Sequence, residues 1–418
     1  MRVDTLDILR CPYCGGRLEL VTSLFHRRTD THIEDGILAC HCCIFALVDG
    51  IPVMHLMPNA NAAMEHLKAG RPDLARRVMF DLNDERQAEI FERTAASSTA
   101  TYKQTVEAIG PNFEGGYFLY RFSDPTFVVA EAVVRSVAST VLHGTRRAID
   151  ICGGSGHLTR TLLACSPEPP ILADLYYAKI WLARRFTAPG CEPVCCDGNA
   201  PMPFARGAFG FAMCTDAFMY IWTKRQFVGE MERLVDDRSA GAEPGAVLIG
   251  HTHNERTWSP SHGQPLSPEG YAALFETIPP RIFGEAGLFQ GVVDDAVLDL
   301  SRNDSKPTLD ADPALTIVAT RHPGVFQRHQ LTAVAEASGE FRLNPLYAAD
   351  PAGTQVRLRL TFPDVDYEQE YGACRRYLPD EVTVEAAALA ALPASSAPGA
   401  LTGLIRRRVV LDLPTRYY

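Results

Sequence analysis

Residues 146–163 read RRAIDICGGSGHLTRTLL, and the order of residue types in this stretch decides the fold. A short apolar run carrying Asp150 near its end is followed by Gly153, Gly154 and Gly156, and an apolar, helix-forming run begins at His157. Glycine lets the backbone turn tightly and approach a ligand closely, so strand, glycine turn and helix in succession form the corner on which nucleotide-like ligands sit. The glycines do not follow G-x-G-x-x-G, which argues against a dinucleotide.

Outward from this corner, short apolar runs alternate with helical ones: ILAD (171–174), YYAKIWLARRF (176–186), CEPVCCD (191–197), FGFAMCTD (209–216), KRQFVGEMERLV (224–235) and AVLIGHT (246–252). Alternation of this kind means βαβ units and a parallel sheet. Acids recur at the ends of the strand-like runs, with Asp174 24 residues after Asp150 and Asp197 23 residues after that. Strand C-termini share one edge of a parallel sheet, the edge where open α/β folds bind ligands.

On these residues the stretch 146–255 resembles the class I S-adenosylmethionine-dependent methyltransferases, whose acid-and-glycine motif stands here as Asp150-Ile-Cys-Gly-Gly-Ser-Gly156. The resemblance implies a Rossmann-like α/β sheet. It also implies that Gly154 and Gly156 line the methionine portion of S-adenosyl-L-methionine, with Asp150 supporting their loop near the ammonium. Asp174 matches the acid that accepts the ribose hydroxyls, and Asp197 the acid that binds the adenine amino group, with Gly198 and Asn199 presenting backbone to the ring. Two positions depart from the pattern: Cys152 stands for the first glycine, and Phe209-Gly210 stands for Phe-Asp.

Nearer the start, Cys11-Pro-Tyr-Cys14 and Cys40-His-Cys-Cys43 are two C-x2-C pairs 25 residues apart, a spacing that brings four thiolates onto one Zn²⁺. The symmetric ligand set is Cys11, Cys14, Cys40 and Cys43, with Cys42 able to replace Cys40 or Cys43. Residues 1–56 resemble the zinc-ribbon domain of the methyltransferase-activator family and the related ribbons fused to bacterial methyltransferases. FALVDGIPVM (45–54) reads as a hairpin turning at Asp49-Gly50.

Residues 57–142 have helical periodicity in AAMEHLKAG, DERQAEIFERT and FVVAEAVVRSVASTVL and form a helical connector or lid. Just before the last run stand Tyr117, Phe118, Tyr120, Arg121 and Phe122, with Arg121 able to meet a carboxylate of cofactor or substrate. Residues 143–322 carry the sheet. Residues 323–418 are a C-terminal accessory region without an assigned fold, expected to be α+β: VRLRLTF and RRVVLDL read as strands, EVTVEAAALAALP as a helix and ALPASSAPGA as a turn-rich insert.

Methyl transfer needs alignment of a nucleophile with the methyl group, and hydroxyl or amine acceptors profit from a base near neutrality. His253 and His251, at the end of the 246–253 run, are the candidate catalytic residues, as base or as groups that orient the acceptor. Their H-x-H spacing shares one strand face, so a metal held with His262 is a further reading, and Asp216 is a substrate contact or helix cap. Cys191, Cys195 and Cys196 read as buried structural thiols.

The 418 residues are 46% hydrophobic and 22% charged, with a formal net charge of −10. That describes a globular chain and argues against a nucleic-acid footprint. No apolar run reaches signal or membrane-span length, so a cytoplasmic protein without a membrane partner is expected. The function expected is methyl transfer to an oxygen or nitrogen of a small-molecule acceptor. A ribosomal-RNA base methyltransferase and a catalytically degenerate, cofactor-binding regulator are the alternatives. Acceptor identity and oligomeric state have no signature in the sequence.

Overall fold

The computed structural model describes residues 1–418 except 111, 112, 114–117, 125, 240, 259–262, 333–335, 373, 374, 376, 377, 397 and 398, and the side chains of 126, 336, 370 and 371. At its centre lie seven strands: β1 (Arg147–Ile151), β2 (Ile171–Asp174), β3 (Glu192–Cys195), β4 (Phe209–Thr215), β5 (Ala246–His253), β6 (Pro280–Gly284) and β7 (Ala314–Thr320). They run side by side in the order β6-β7-β5-β4-β1-β2-β3. The strands β1 to β5 pair in parallel, and β7 is antiparallel to both β5 and β6. The apolar runs read as strands because both sheet faces are covered: Ile149, Ala212, Leu248 and Ile317 have no exposed surface. Helices α1 (Thr126–Val141), α2 (His157–Cys165), α3 (Tyr177–Leu182) and α4 (Lys224–Val235) accompany the sheet. This is the Rossmann-like α/β class expected, and strand order reverses at β1, which sets the binding crevice at the C-terminal ends of β1 and β4.

The cysteine-bearing segment forms a small antiparallel sheet whose main strands are Ile33–Ala39 and Ile44–Val48. Asp49 and Gly50 turn it with φ of 48° and 71°, the two positive values a type I′ hairpin turn requires. This sheet is joined to the central one. The Met54 amide donates to Cys195 O at 2.7 Å, the Arg10 amide to Pro203 O at 2.9 Å, and the Ala205 amide to Ile8 O at 2.8 Å. The open edge of β3 is thereby covered, and Leu9, Leu38 and Phe45 share one apolar cluster with Ile171, Val194 and Phe204.

Helices Pro58–Lys68, Pro72–Met79, Glu85–Ala96 and Tyr102–Ile109 fill the connector, followed by α1. The C-terminal region holds two three-stranded antiparallel sheets. VRLRLTF and RRVVLDL contribute the strands Gln355–Leu360 and Val410–Leu413. The helix expected over EVTVEAAALAALP is corrected: Glu381–Glu385 is a strand paired with Gln355–Leu360, and only Ala386–Ala390 is helical. Val382 and Val384 alternate with exposed residues, so a two-residue period outweighs the alanine-rich run behind it. Within the expected turn-rich insert, Ala394–Ser396 is a strand.

Candidate cofactor and acceptor site

The glycine turn after β1 is held by its neighbours. Cys152, Gly154 and Gly156 have φ of 60°, 55° and 75°, so the position where cysteine replaces the family glycine is a left-handed one. Non-glycine residues enter that region at a cost of about 1–2 kcal/mol. A Cβ on Gly153 would stand 2.5 Å from Leu172 Cδ1 and 2.6 Å from Asp150 Cγ, which only glycine permits. The Cys152 amide donates to Ala173 O at 2.7 Å. Asp150 lies buried beneath the loop, accepting from Thr159 Oγ1 at 2.6 Å. Burial raises its pKa to about 7, opposed by the Thr159 hydroxyl and assisted by the charge of Asp174.

Asp174, at the end of β2, ties this loop to the next. One carboxylate oxygen accepts from the Gly154 amide at 2.9 Å and the other from the Tyr176 amide at 2.9 Å. After β3, Asp197 Oδ1 accepts from the Asn199 amide at 2.8 Å, and Asn199 Oδ1 accepts from the Trp222 amide at 2.7 Å. A Cβ on Gly198 would sit 3.1 Å from Ile221 Cδ1 and 3.2 Å from Cys152 Sγ, so the β1 and β3 loops meet there. Gly210 lies at the opposite end of its strand, roughly 17 Å along β4 from Thr215 at 3.3 Å per residue. A Cβ there would meet the Arg146 side chain at 2.8 Å. The departure at Gly210 is therefore a packing feature away from this edge.

The ends of β4 and β5 bring together Asp216, His251 and His253, with one ligand-type atom of each within 4.8 Å of the others. Asp216 and His251 have φ of 55° and 46°, and β5 is bulged between Ile249 and Thr252. The bulge breaks the simple alternation expected for H-x-H, yet the two imidazole centroids stand 5.8 Å apart. Glu285 accepts from the His251 amide at 2.9 Å and from Thr316 Oγ1 at 2.7 Å, and its other oxygen lies 2.7 Å from His251 Nδ1. Burial alone would lower the His251 pKa; the charge and hydrogen bond of Glu285 outweigh it and raise it to about 9. Burial and the neighbouring His251 both lower that of His253. Arg121 is ion-paired with Asp216 and lies 3.5 Å from Asp124, with its guanidinium 4.6 Å from the Phe127 ring centre. It meets carboxylates of the chain itself. Tyr117 and His262 lie outside the described residues.

At the N-terminal module the thiols of Cys11, Cys14, Cys40 and Cys42 lie within 4.8 Å of one another. Cys43, the fourth ligand of the symmetric reading, is outside this group, with its sulfur 3.4 Å from that of Cys42. Its amide donates to Cys40 Sγ at 3.3 Å. The grouping follows from the hairpin: Ala39 pairs with Ile44, so Cys42 stands in the turn and Cys43 immediately before the strand. Four convergent thiols are a donor set suited to zinc. Cys191, Cys195 and Cys196 are buried, and burial raises their pKa values.

These loops suit S-adenosylmethionine in their donors. A carboxylate oxygen accepts two hydrogen bonds, so the contacts that anchor Asp174 to Gly154 are compatible with its binding a ribose diol. Phe118 lies over the glycine loop, 3.2 Å from where a Gly154 Cβ would stand. Two cavities, of about 180 Å³ beside Arg27, Asp35 and Arg76 and about 30 Å³ beside Glu131, Arg160 and Arg408, are lined by none of the strand-end acids or by His251 or His253. Glu285, Asp124 and Thr159 were not legible in advance; Glu285 is 34 residues from the histidine it holds, with no local motif to mark it.

No protein-family model matches the chain, and no curated protein matches it. Among solved structures, it is similar to an S-adenosylmethionine-dependent methyltransferase from Thermotoga maritima, at 14% identity over 53% of this chain and 97% of that one, with a TM-score of 0.31. It is also similar to phosphoethanolamine N-methyltransferase 2 of Haemonchus contortus, in complex with phosphomonomethylethanolamine and S-adenosylhomocysteine, at 14% identity over 55% and 59%, TM-score 0.32. A chain from the complex of the Haloferax volcanii Trm112 methyltransferase activator with its assigned methyltransferase matches at 13% identity over 53% and 98%, TM-score 0.37. The fold rests on the chain's own strand order.

Proposed function

We propose that this chain is an S-adenosylmethionine-dependent methyltransferase acting on an oxygen or nitrogen of a small molecule, organised as a zinc ribbon (1–56), a helical connector and lid (57–142), a catalytic sheet (143–322) and an accessory region (323–418). The observation that carries the reading is the carboxylate of Asp174 fastened to the amide of Gly154 at the switch-point edge, which places a carboxylate acceptor beside a glycine cradle. S-adenosylmethionine supplies, when bound, an electrophilic methyl group on a sulfonium. The chain's residues do the rest. Asp174 accepts the ribose hydroxyls, and Asp197, with the backbone of Gly198 and Asn199, takes the adenine edge. Gly154 and Gly156 line the methionine portion over a loop supported by Asp150. His253 and His251 handle the acceptor, taking its proton or orienting it, while Glu285 fixes the His251 ring. The net charge of −10 favours a small acceptor over RNA.

Transfer of labelled methyl groups into fractions of a cell extract tests this. Label is expected in the small-molecule fraction, with His253→Ala lowering the rate by roughly 10²–10⁴-fold at unchanged cofactor affinity. Label in RNA alone, or equal rates in wild type and variant, would overturn the acceptor or the residue assignment respectively.

A further inference from the structure

Asp216, His251 and His253 descend from the ends of two neighbouring parallel strands and offer a carboxylate and two imidazoles within 4.8 Å of one another. Donors bonded to one ion at about 2.1 Å stand roughly 3–3.5 Å apart, so small side-chain movements would close this group on a cation. Proximity alone would not make a site, but the second layer around it is also built. His251 Nδ1 is 2.7 Å from Glu285 Oε2, and Glu285 is itself fixed by the His251 amide and Thr316 Oγ1. A carboxylate on one ring nitrogen sets the tautomer and orients the other nitrogen as a ligand, the arrangement found behind metal-bound histidines. Backbone geometry points the same way. Of the eight non-glycine residues with positive φ among the described residues, Asp216 and His251 are two, and strain of this kind persists where the surrounding structure holds a functional group in place.

Arg121 fits as the stand-in charge. It is ion-paired with Asp216 and also within 3.5 Å of Asp124. A cation arriving at Asp216 would leave the guanidinium on Asp124.

We infer that Asp216, His251 and His253 bind one divalent first-row transition ion, with Glu285 as the positioning carboxylate, and that an acceptor hydroxyl ligates this ion through the oxygen to be methylated, so that the two histidines orient the acceptor through the ion and do not take its proton. Two imidazoles and one carboxylate suit such ions better than calcium or magnesium, which prefer oxygen ligands. Ligation would acidify that hydroxyl, whose proton would pass to solvent, and the oxygen would keep a lone pair to bond the methyl carbon as the carbon–sulfur bond breaks and the sulfonium leaves as a neutral thioether. The acceptor clause rests on the methyltransferase reading; the metal clause does not.

The test titrates Co²⁺ into the full chain with its cysteine cluster kept loaded with zinc. One cobalt per chain beyond the zinc is expected, with visible ligand-field bands and without a thiolate-to-cobalt charge-transfer band. His253→Gln and Asp216→Asn should each weaken binding by at least about tenfold, and Glu285→Gln by about 10–100-fold. Near-ultraviolet circular dichroism checks that the variants fold, and the partly exposed His253 decides if Asp216→Asn does not. No saturable cobalt beyond the zinc, a charge-transfer band alone, or equal binding by wild type and His253→Gln overturns the site. S-adenosylmethionine binding is measured on the same samples. Lost cobalt binding with intact cofactor binding removes only the metal, whereas cobalt binding without cofactor binding removes the methyltransferase reading and keeps the metal.

Discussion

Asp150 shows how one buried acid couples the glycine loop to pH. Its pKa is raised to about 7, chiefly by burial, against about 3.9 in an unfolded chain. Between those values the folded state keeps a proton that the unfolded state has released. Its contribution to stability is therefore fully present below about pH 4 and is lost as pH rises to about 7, at up to about 1.4 kcal/mol per pH unit. Denaturant midpoints measured from pH 5 to 8 should shift in favour of Asp150→Asn relative to wild type as pH rises; parallel curves would mean that Asp150 is ionised throughout. At the residue scale, the placement of Asp150, Asp174 and Asp197 at or just beyond successive strand ends is legible in the sequence, because their spacing repeats with the βα unit. The sequence was silent on Glu285, which reaches His251 only through tertiary packing, and on Asp124, a local partner three residues from Arg121 that no motif marks.

The elements were legible wherever a single period ran long enough. His157–Cys165 and Ile171–Asp174 fall where their patterns place them, as does the Asp49-Gly50 hairpin, whose turn chemistry is local. Glu381–Glu385 was read as helix because five strand residues precede an alanine-rich run, and pairing with Gln355–Leu360 decides their state. What no pattern could announce is that the cysteine module hydrogen-bonds to the edge of β3. That contact changes the expected consequence of losing its metal. One zinc per chain is expected, and chelation should lower the thermal midpoint of the whole molecule in one transition, since the module shares a core cluster with β2 and β3. Metal analysis should show zinc lost in Cys11→Ser/Cys40→Ser and in Cys42→Ser but kept in Cys43→Ser. Full zinc in the double variant would contradict the cluster, and loss in Cys43→Ser with retention in Cys42→Ser would restore the symmetric ligand set.

Across the whole molecule, the C-terminal region returns to the glycine loop after β1. Tyr417 is buried, its ring stacks on Tyr102 at 4.7 Å, and its hydroxyl donates to Phe118 O at 2.8 Å and lies 2.8 Å from His157 Nε2 at the start of α2. Connector, sheet and C-terminal region thus meet behind the glycine turn, where Phe118 and Phe122 pack against His157 and Phe122 against Tyr417. No helix among the described residues is long and apolar enough to cross a membrane. The edge formed by the ends of β1, β2 and β3 is the proposed site of S-adenosylmethionine binding. Calorimetric titration of the wild type and Asp174→Ala measures it directly. Saturable binding by the wild type is expected, with a loss of about 1.5–3 kcal/mol, roughly 10–150-fold, in the variant, which offers the ribose hydroxyls no carboxylate acceptor. No binding by the wild type, or equal affinity in the two proteins, would contradict it.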